Sequence, residues 1–337
     1  MASRSDAGGR SRLSPSMVAI IEKQVADLRH RVLTFQAVPN RSNPGLDYSE
    51  LPDHVDVLVF GPSGSGKSSL IRTFYRALHR TQTIPRELAE KIIVRDTNLN
   101  EGTLRYVSAV IKPTGMGGNS TAIVCHDTRG QIWMDSKEMA QVGVILDGQA
   151  RDDVIVEQRD YRYARLLWEF WKSDTDLFPQ EALRGQANLQ TKPHAIVFVF
   201  DGSMEEVPND DETLFYRDIL QIAREKGYHY PQIVLTRIDQ VERTMPKCSD
   251  PAEAELKLRQ LLDAKIESVV MKLGVSRPSV HFVENYHESS TPESDLSIDF
   301  HVLRILHECV QHADTYLRSQ LQPKTMANAA MEQCSVQ

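Results

Sequence analysis

Long apolar runs, paired cysteines and basic clusters are all scarce in this chain of 337 residues. No apolar run approaches the length of a membrane-spanning helix, and the N-terminus lacks the apolar segment of a signal peptide. The four cysteines are widely scattered, which indicates neither a disulfide framework nor a zinc site and favours a reducing compartment. A net charge of -7 with no compensating basic block predicts no nucleic-acid-binding surface. We therefore expect a soluble, intracellular protein.

Short apolar runs alternate with helical patterns from residue 54 to residue 321. This alternation predicts an α/β fold with a doubly wound, mostly parallel sheet. Buried parallel strands are predicted at 194–201, 231–236 and 279–286. The runs at 103–112 and 121–127 flank a glycine-rich turn and predict a hairpin, which makes one edge strand antiparallel. Helices are predicted at about 210–227, 251–273 and 296–320.

Three further segments are predicted to be accessory to this domain of residues 54–321. Residues 1–53 comprise a polar stretch that is expected to be disordered, an amphipathic helix from Ser14, and a linker rich in Pro, Gly and Asn. Residues 131–192 exceed an ordinary connection and are predicted to be an insertion with its own helix. Residues 322–337 form a polar tail that is expected to be flexible.

The stretch FGPSGSGKSSLIR, residues 60–72, lies between an alternating β-branched run and a helical pattern. It fits G-x-x-x-x-G-K-[ST], which forms a phosphate-binding loop (P-loop) in that setting, although a glycine-rich turn can match by chance. Backbone N–H groups and the helix N-terminus would attract phosphates, Lys67 would reach the outer phosphates, and Ser68 would complete a Mg²⁺ shell. The candidate phosphate-binding residues are Gly61, Ser63, Gly64, Ser65, Gly66, Lys67, Ser68 and Ser69.

A second motif, D-x-x-G, occurs in CHDTRGQIW at the end of the second predicted hairpin strand. Asp127 would hold a metal-bound water, and the Gly130 N–H would bond a γ-phosphate. Alone this pattern usually marks a turn, but here it follows a phosphate loop. Gln131 lies where Ras-like GTPases keep the glutamine that orients water; the alternative is a solvated loop residue. Arg129 or a partner could supply an arginine finger.

The segment VLTRID resembles T/N-K-x-D, the motif by which G proteins recognise guanine. Thr236 ends a predicted strand. The Asp239 carboxylate would accept hydrogen bonds from both the N1–H and the exocyclic amine of guanine, a pair of donors that adenine does not offer. The alternative is that Asp239 caps the next helix. Arg237 replaces the usual lysine and can stack on a purine, although it is not an equal substitute. Thr103, or alternatively Thr97, is predicted to contact Mg²⁺ and the γ-phosphate, unless it is an ordinary strand threonine.

These motifs, with HAIVFVFDGS, VVMKLGVSRPSVHFVENYHESS and HVLRILHECVQHADTYL, resemble the interferon-induced protein 44 family of GTPases over roughly residues 54–320. In ENY, Asn285 and Tyr286 take the place of the base-contacting Ser-Ala-Lys loop of Ras-like proteins. The resemblance implies a P-loop G domain that binds GTP or GDP with Mg²⁺, and a cytoplasmic role near innate defence or growth control. We expect no counterpart of the TLDc-like region of some members, because residues 1–53 are too short for it.

The chain ends CSVQ, which places Cys334 fourth from the end. This ending matches a farnesylation signal except at Ser335, and the alternative is a chance match. A single isoprenoid without a basic cluster predicts only weak, reversible contact with a membrane.

The sequence thus predicts a guanine-nucleotide-binding protein, a slow GTPase switch in which Lys67 and Gln131 act in catalysis. The alternative is a nucleotide-gated scaffold with little or no hydrolysis. A kinase or transporter ATPase is a third reading, but no LSGGQ-like signature or acceptor-site motif occurs. The insertion helix has an apolar face that favours core packing over nucleotide-dependent self-association or a protein partner (Leu166, Leu167, Phe170, Trp171).

Overall fold

The computed structural model describes residues 15–39, 41, 43, 45–93, 105–128, 130–131, 134–152, 154–155, 182–245, 250–286 and 295–321. The predictions for Thr97, Thr103, Arg129, the insertion helix and Cys334 therefore lie outside the described residues. Within the described residues, no helix combines the length and apolarity needed to cross a membrane.

A seven-stranded sheet with the order β4-β2-β3-β1-β5-β6-β7 organises the described part of the chain. Its strands are β1 (His54–Phe60), β2 (Arg105–Lys112), β3 (Ala122–Asp127), β4 (Val154–Ile155), β5 (Ala195–Asp201), β6 (Gln232–Thr236) and β7 (Val280–Phe282). The five strands from β3 to β7 in this order are parallel, whereas β2 is antiparallel to both of its neighbours. The predicted α/β fold is confirmed, with one difference: the two-residue β4 pairs outside β2 and forms the edge.

Helices cover both faces of the sheet. They are α1 (Pro15–Leu33), α2 (Lys67–His79), α3 (Arg86–Lys91), α4 (Ser136–Leu146), α5 (Asp210–Glu225), α6 (Ile238–Thr244), α7 (Pro251–Leu273) and α8 (Leu296–Gln320). Several ends follow from local capping. Asn209 and Glu212 form a capping box at the start of α5, and α7 begins after the Asp250 cap and ends at Gly274 in the left-handed region.

Alternation along β1 divides the interior into two cores. Val55, Val57 and Val59 contact the face that α1, α2 and α8 cover, whereas Leu58 and Phe60 contact the face that α4, α5 and α7 cover. Both sets are almost fully buried, which is the pattern of a central parallel strand with helices on both sides.

Helix α1 packs into the first of these cores rather than apart from the sheet. Val25 and Val32 are buried there, and the segment after α1 is bonded to the domain through the backbone N–H groups of Ala37 and Val38. Ala37 N–H donates to Thr121 Oγ1 (2.8 Å) and Val38 N–H donates to Asp314 Oδ1 (2.6 Å). Although residues 1–53 are predicted to precede the domain, their described part from residue 15 shares its core.

Candidate functional site

The G-x-x-x-x-G-K-S segment connects the end of β1 to the start of α2, as the sequence predicts. Gly61, Gly64 and Gly66 all have positive φ angles (150°, 76° and 92°). At Gly61 the restriction is also steric, because an added Cβ would lie 2.1 Å from the Val199 carbonyl oxygen on β5. Glycine is therefore required for this loop to pass so close to the neighbouring strand.

Lys67 begins α2 and folds back over the loop. Its Nζ donates to the carbonyl oxygens of Gly61 (3.0 Å) and Pro62 (2.7 Å). The residue is only 5% exposed, and desolvation lowers the pKa of the amine to about 8 although Asp127 opposes this effect. A buried ammonium bonded mainly to carbonyl oxygens has electrostatic capacity left for an anion.

Ser68 and Asp127 join α2 to the end of β3. The Ser68 hydroxyl donates to Asp127 Oδ2 at 2.5 Å. Asp127 is fully buried, and desolvation raises the pKa of its carboxyl to about 6 although Lys67 and Ser68 lower it. The loop thus connects the central parallel strand β1 to a helix that begins with Lys67 and Ser68, and it lies beside Asp127 at the end of β3. The fold is that of a P-loop NTPase.

The D-x-x-G segment lies directly on this phosphate loop. The Ser63 N–H donates to the Gln131 carbonyl oxygen (3.0 Å), and the Gln131 N–H donates to the Gly61 carbonyl oxygen (3.3 Å). A Cβ on Gly130 would lie 2.4 Å from Ser63 Cα, so the two backbones could not be this close with any side chain there. Gln131 is 7% exposed, which contradicts the alternative that it is a solvated residue.

Thr236 and Arg237 connect the end of β6 to the same loop. Thr236 is fully buried, and its hydroxyl is shared between the carbonyl oxygens of Ser65 (2.7 Å) and Phe200 (3.2 Å). The Arg237 guanidinium donates to Asp201 Oδ2 (2.5 Å) and to the Gly64 carbonyl oxygen (2.7 Å). These contacts join the end of β6 to the loop backbone at two successive residues.

Asp239 lies in the first turn of α6 and is 8% exposed. The N-cap position of this helix is occupied by Arg237, with a φ of 62° and no side-chain cap. Asp239 therefore does not cap α6, and its carboxylate instead forms an ion pair with Arg243 (3.0 Å). Because the partner side chain is 73% exposed, this ion pair is weak and a ligand could compete for the carboxylate.

Asn285 and Tyr286 follow β7, but their side chains lie in different environments. The Asn285 Nδ2 donates to the Gly66 carbonyl oxygen (3.4 Å), beside the loop. The Tyr286 ring lies under the Arg76 guanidinium, 4.4 Å from its centroid, and the hydroxyl donates to Asp299 Oδ1 (2.7 Å). The ring and the hydroxyl of Tyr286 therefore make their contacts within the core, and nucleotide binding by Tyr286 stays a prediction.

Most of the predicted site residues described by the structure thus meet at the carboxyl ends of β1, β3, β6 and β7. Ser69 lies in the first turn of α2, where its carbonyl oxygen accepts from Thr73 Oγ1 (2.7 Å). The sequence interpretation missed Asp201, which ends β5 and holds Arg237. A polar residue at the carboxyl end of a predicted buried strand is a signal that could have identified it.

The chemistry of the loop fits a magnesium ion bound together with phosphate. No cluster of three or more His, Cys, Asp or Glu side chains suited to a metal occurs in the described ranges. Mg²⁺ does not need one, because with phosphates it usually takes one or two protein ligands and keeps several waters. Ser68 and Asp127 can supply those ligands, and Asp127 Oδ1 is buried without a hydrogen-bond partner among the described residues.

Comparison with known proteins adds little to this geometry. No family model matches the chain, and no curated protein matches it, so the resemblance to the interferon-induced protein 44 family is not confirmed. The similar solved structures include GDP-bound aIF5B from Aeropyrum pernix, which is 12% identical with a TM-score of 0.37; the match covers 80% of this chain and 37% of that chain. They also include the signal recognition particle receptor SRb-GTP/SRX complex from Chaetomium thermophilum, which is 14% identical with a TM-score of 0.30; this match covers 70% of this chain and 94% of that chain. This chain therefore spans little more than a third of the aIF5B chain. TM-scores this low carry no argument about function.

Proposed function

We propose that the protein binds GTP and GDP together with Mg²⁺ and hydrolyses GTP slowly. The observation that carries this proposal is the convergence of the phosphate loop, the D-x-x-G segment and the Thr236–Asp239 segment at one end of the sheet. Three buried oxygen atoms around that loop have no hydrogen-bond partner among the described residues: Ser65 Oγ, Asp127 Oδ1 and Asn285 Oδ1. Buried polar atoms are normally satisfied, so their grouping here favours a bound polar ligand.

The phosphates would lie along the loop backbone and the N-terminus of α2. The Lys67 ammonium would exchange carbonyl oxygens for phosphate oxygens, which form stronger, charge-assisted hydrogen bonds. Ser68 and Asp127 would hold Mg²⁺, which when bound neutralises charge on the outer phosphates. Gly130 N–H would then donate to the terminal phosphate, provided that the contacts between the D-x-x-G backbone and Ser63 rearrange.

The base would lie beyond the loop, at the carboxyl ends of β6 and β7, where ligands bind in sheets of this kind. Asp239 would accept from guanine there, after release from the exposed Arg243 guanidinium. The Arg237 guanidinium is 40% exposed while bonded to Asp201 and Gly64. Its free face could therefore stack on a purine without breaking those bonds.

A competition titration tests nucleotide choice. Fluorescent GDP bound to nucleotide-stripped protein with Mg²⁺ would be displaced by GTP, GDP, ATP or XTP, beside a Lys67→Ala control. We expect displacement by GTP and GDP only, and no binding to the control. Equal displacement by ATP would contradict guanine selectivity and leave only phosphate binding.

The role of Asp239 has its own test. In Asp239→Asn the side chain has one hydrogen-bond donor group and one acceptor. The donor suits the carbonyl group that xanthine has in place of the guanine amine. We expect affinity to move from GTP towards XTP in the titration above. If the variant binds GTP and XTP as the natural protein does, Asp239 does not read the base.

Turnover separates the switch from the second candidate, a nucleotide-gated scaffold with little hydrolysis. The burial of Gln131 against the loop favours hydrolysis, since a water-orienting side chain must lie close to the outer phosphate. Gln131→Ala should leave GDP affinity unchanged and lower GTP turnover about tenfold or more. An unchanged rate would remove Gln131 from the mechanism, and a GTP-dependent dimer without turnover would support the scaffold.

Membrane contact through Cys334 is a separate proposal, which rests on the CSVQ ending alone. A Cys334→Ser variant should lose membrane partitioning in eukaryotic cells. Equal partitioning of both forms would exclude lipidation as its cause.

A further inference from the structure

A buried chain of hydrogen bonds links α1 to the residue that follows Asn285. The Arg29 guanidinium donates to Asp299 Oδ2 at 2.9 Å, and its Nε donates to the Ala77 carbonyl oxygen near the end of α2 at 2.9 Å. Asp299 Oδ1 accepts from the Tyr286 hydroxyl at 2.7 Å. The side chains in this ion pair are 11% and 2% exposed, so these bonds are little screened by solvent.

The Tyr286 hydroxyl is also an acceptor, because the Asp295 N–H at the start of α8 donates to it at 2.9 Å. The backbone is fixed at the same residue, where the Tyr286 N–H donates to Thr73 Oγ1 on α2 at 3.1 Å. With its ring under Arg76, this tyrosine is bound through its backbone, ring and hydroxyl. These contacts join the residue after β7 to both α2 and α8.

The neighbouring Asn285 is the residue that benefits from this anchoring. Its side chain lies against the phosphate loop, since a Cβ on Gly66 would be 3.1 Å from Asn285 Nδ2 and 3.3 Å from Thr236 Oγ1. Asn285 is 7% exposed, and its Oδ1 has no hydrogen-bond partner among the described residues. The amide is thus held between the loop and the end of β6, with one oxygen left for a ligand.

We infer that Tyr286 is a positioning residue that fixes Asn285 beside the phosphate loop, and that α1 contributes to nucleotide binding by holding Tyr286 through Arg29 and Asp299. This inference rests on the proposed function. It gives the N-terminal helix a role at the base-binding side of the site, although α1 precedes the first strand of the predicted nucleotide-binding domain.

The position of Asn285 decides which part of a nucleotide depends on Tyr286. The phosphates are held by the loop backbone, Lys67 and α2, none of which needs the Tyr286 hydroxyl. The base extends towards the ends of β6 and β7, where Asn285 lies. Loss of the hydroxyl should therefore weaken ligands that carry a base and leave inorganic pyrophosphate unaffected, whereas a general loss of stability would weaken both.

The test compares Tyr286→Phe with a matched variant, Tyr228→Phe, in the full chain. Tyr228 is also buried, and its hydroxyl donates to the Pro193 carbonyl oxygen at 2.7 Å, at the opposite end of the sheet. Displacement of fluorescent GDP by unlabelled GDP and by pyrophosphate, each with Mg²⁺, gives both affinities for each protein. We expect Tyr286→Phe to bind GDP about tenfold more weakly and pyrophosphate within about twofold of the natural protein, because the hydrogen bonds of the hydroxyl to the Asp299 carboxylate and from the Asp295 N–H are lost.

Tyr228→Phe should bind both ligands as the natural protein does. A second variant, Arg29→Gln, removes the cation from α1 and should reproduce the selective loss for GDP. The inference is overturned if Tyr286→Phe leaves GDP affinity unchanged, if it weakens GDP and pyrophosphate equally, or if Arg29→Gln has no selective effect. If the natural protein does not bind fluorescent GDP, the proposed function itself fails, and this outcome is distinct from the three results that overturn the inference.

Discussion

The buried ammonium of Lys67 should favour phosphate binding but lower the stability of the ligand-free protein. Replacing Lys67 by methionine separates these two effects. The side chain is 5% exposed, and desolvation lowers its pKa from 10.5 to about 8. Methionine has a similar length and no charge, so Lys67→Met removes the buried ammonium with little change in packing. We expect the ligand-free variant to be more stable than the natural protein and unable to hold phosphates.

The magnitude follows from the pKa. Each pKa unit corresponds to about 1.4 kcal/mol, so keeping this amine charged at pH 7 costs on the order of 3 kcal/mol. The two hydrogen bonds from Nζ to Gly61 and Pro62 contribute about 1 kcal/mol each in the opposite direction. The net gain in the free energy of unfolding is therefore about 1 kcal/mol. Because the pKa is lower in the folded state than in the unfolded state, the free-energy cost of the buried charge is complete below about pH 8 and absent above pH 10.5.

Urea unfolding at pH 7 and at about pH 10.5 measures this gain, and GDP titration measures the loss of binding, which should be at least about 100-fold. Lys112→Met is the matched control, because Lys112 is fully buried, its pKa is likewise lowered to about 8 by desolvation, and it bonds only to the Leu33 carbonyl oxygen in the described structure. It should gain about 2 kcal/mol and bind GDP normally. A Lys67→Met variant that is less stable at pH 7 would refute the desolvation reasoning.

Three further outcomes are expected. Gly130→Ala should destabilise the ligand-free protein by about 1–3 kcal/mol in urea unfolding, because its Cβ would lie 2.4 Å from Ser63 Cα; unchanged stability would mean that this contact is readily rearranged. Thr236→Val should cost about 1–3 kcal/mol and weaken GDP binding, since the Ser65 carbonyl oxygen loses its 2.7 Å donor, whereas Thr236→Ser should retain both properties. The pKa of His54 is raised from 6.5 to about 9, chiefly by its hydrogen bond to a buried aspartate, so its stabilisation is complete below pH 6.5 and lost as the pH rises through 9. Between about pH 6 and about pH 10, the free energy of unfolding should therefore fall less in His54→Gln than in the natural protein, by on the order of 1 kcal/mol. An unaltered pH dependence would exclude His54 as the cause of the fall.

Those parts of the molecule that depend on neighbouring residues in the chain were predictable. The helix Pro251–Leu273 was predicted with the ends that the structure has, because its Asp250 cap, its first-position proline and its terminal Gly274 are local signals. The phosphate loop was predictable for the same reason, since its backbone path requires Gly61 and Gly66 at a set spacing. The strand predicted at 279–286 is too long, because the ladder with β6 covers Val280–Phe282 and ends with a bond from the Val283 N–H to the Leu235 carbonyl oxygen. The length of a strand depends on its neighbour in the sheet.

The contacts between distant residues were not predictable from local sequence. Tyr286 follows a strand in a motif that indicates ligand contact, but its environment is decided by Arg76 and Asp299, which arrive from α2 and α8. From the sequence alone, Arg237 is predicted to stack on a purine. Its ion pair with Asp201 depends on β5 and β6 being neighbours in the sheet. Capping, turn geometry and apolar periodicity act within a few residues and so determined the elements and the loop. The partners of a buried polar group are determined by which elements pack together, and only the tertiary structure decided that.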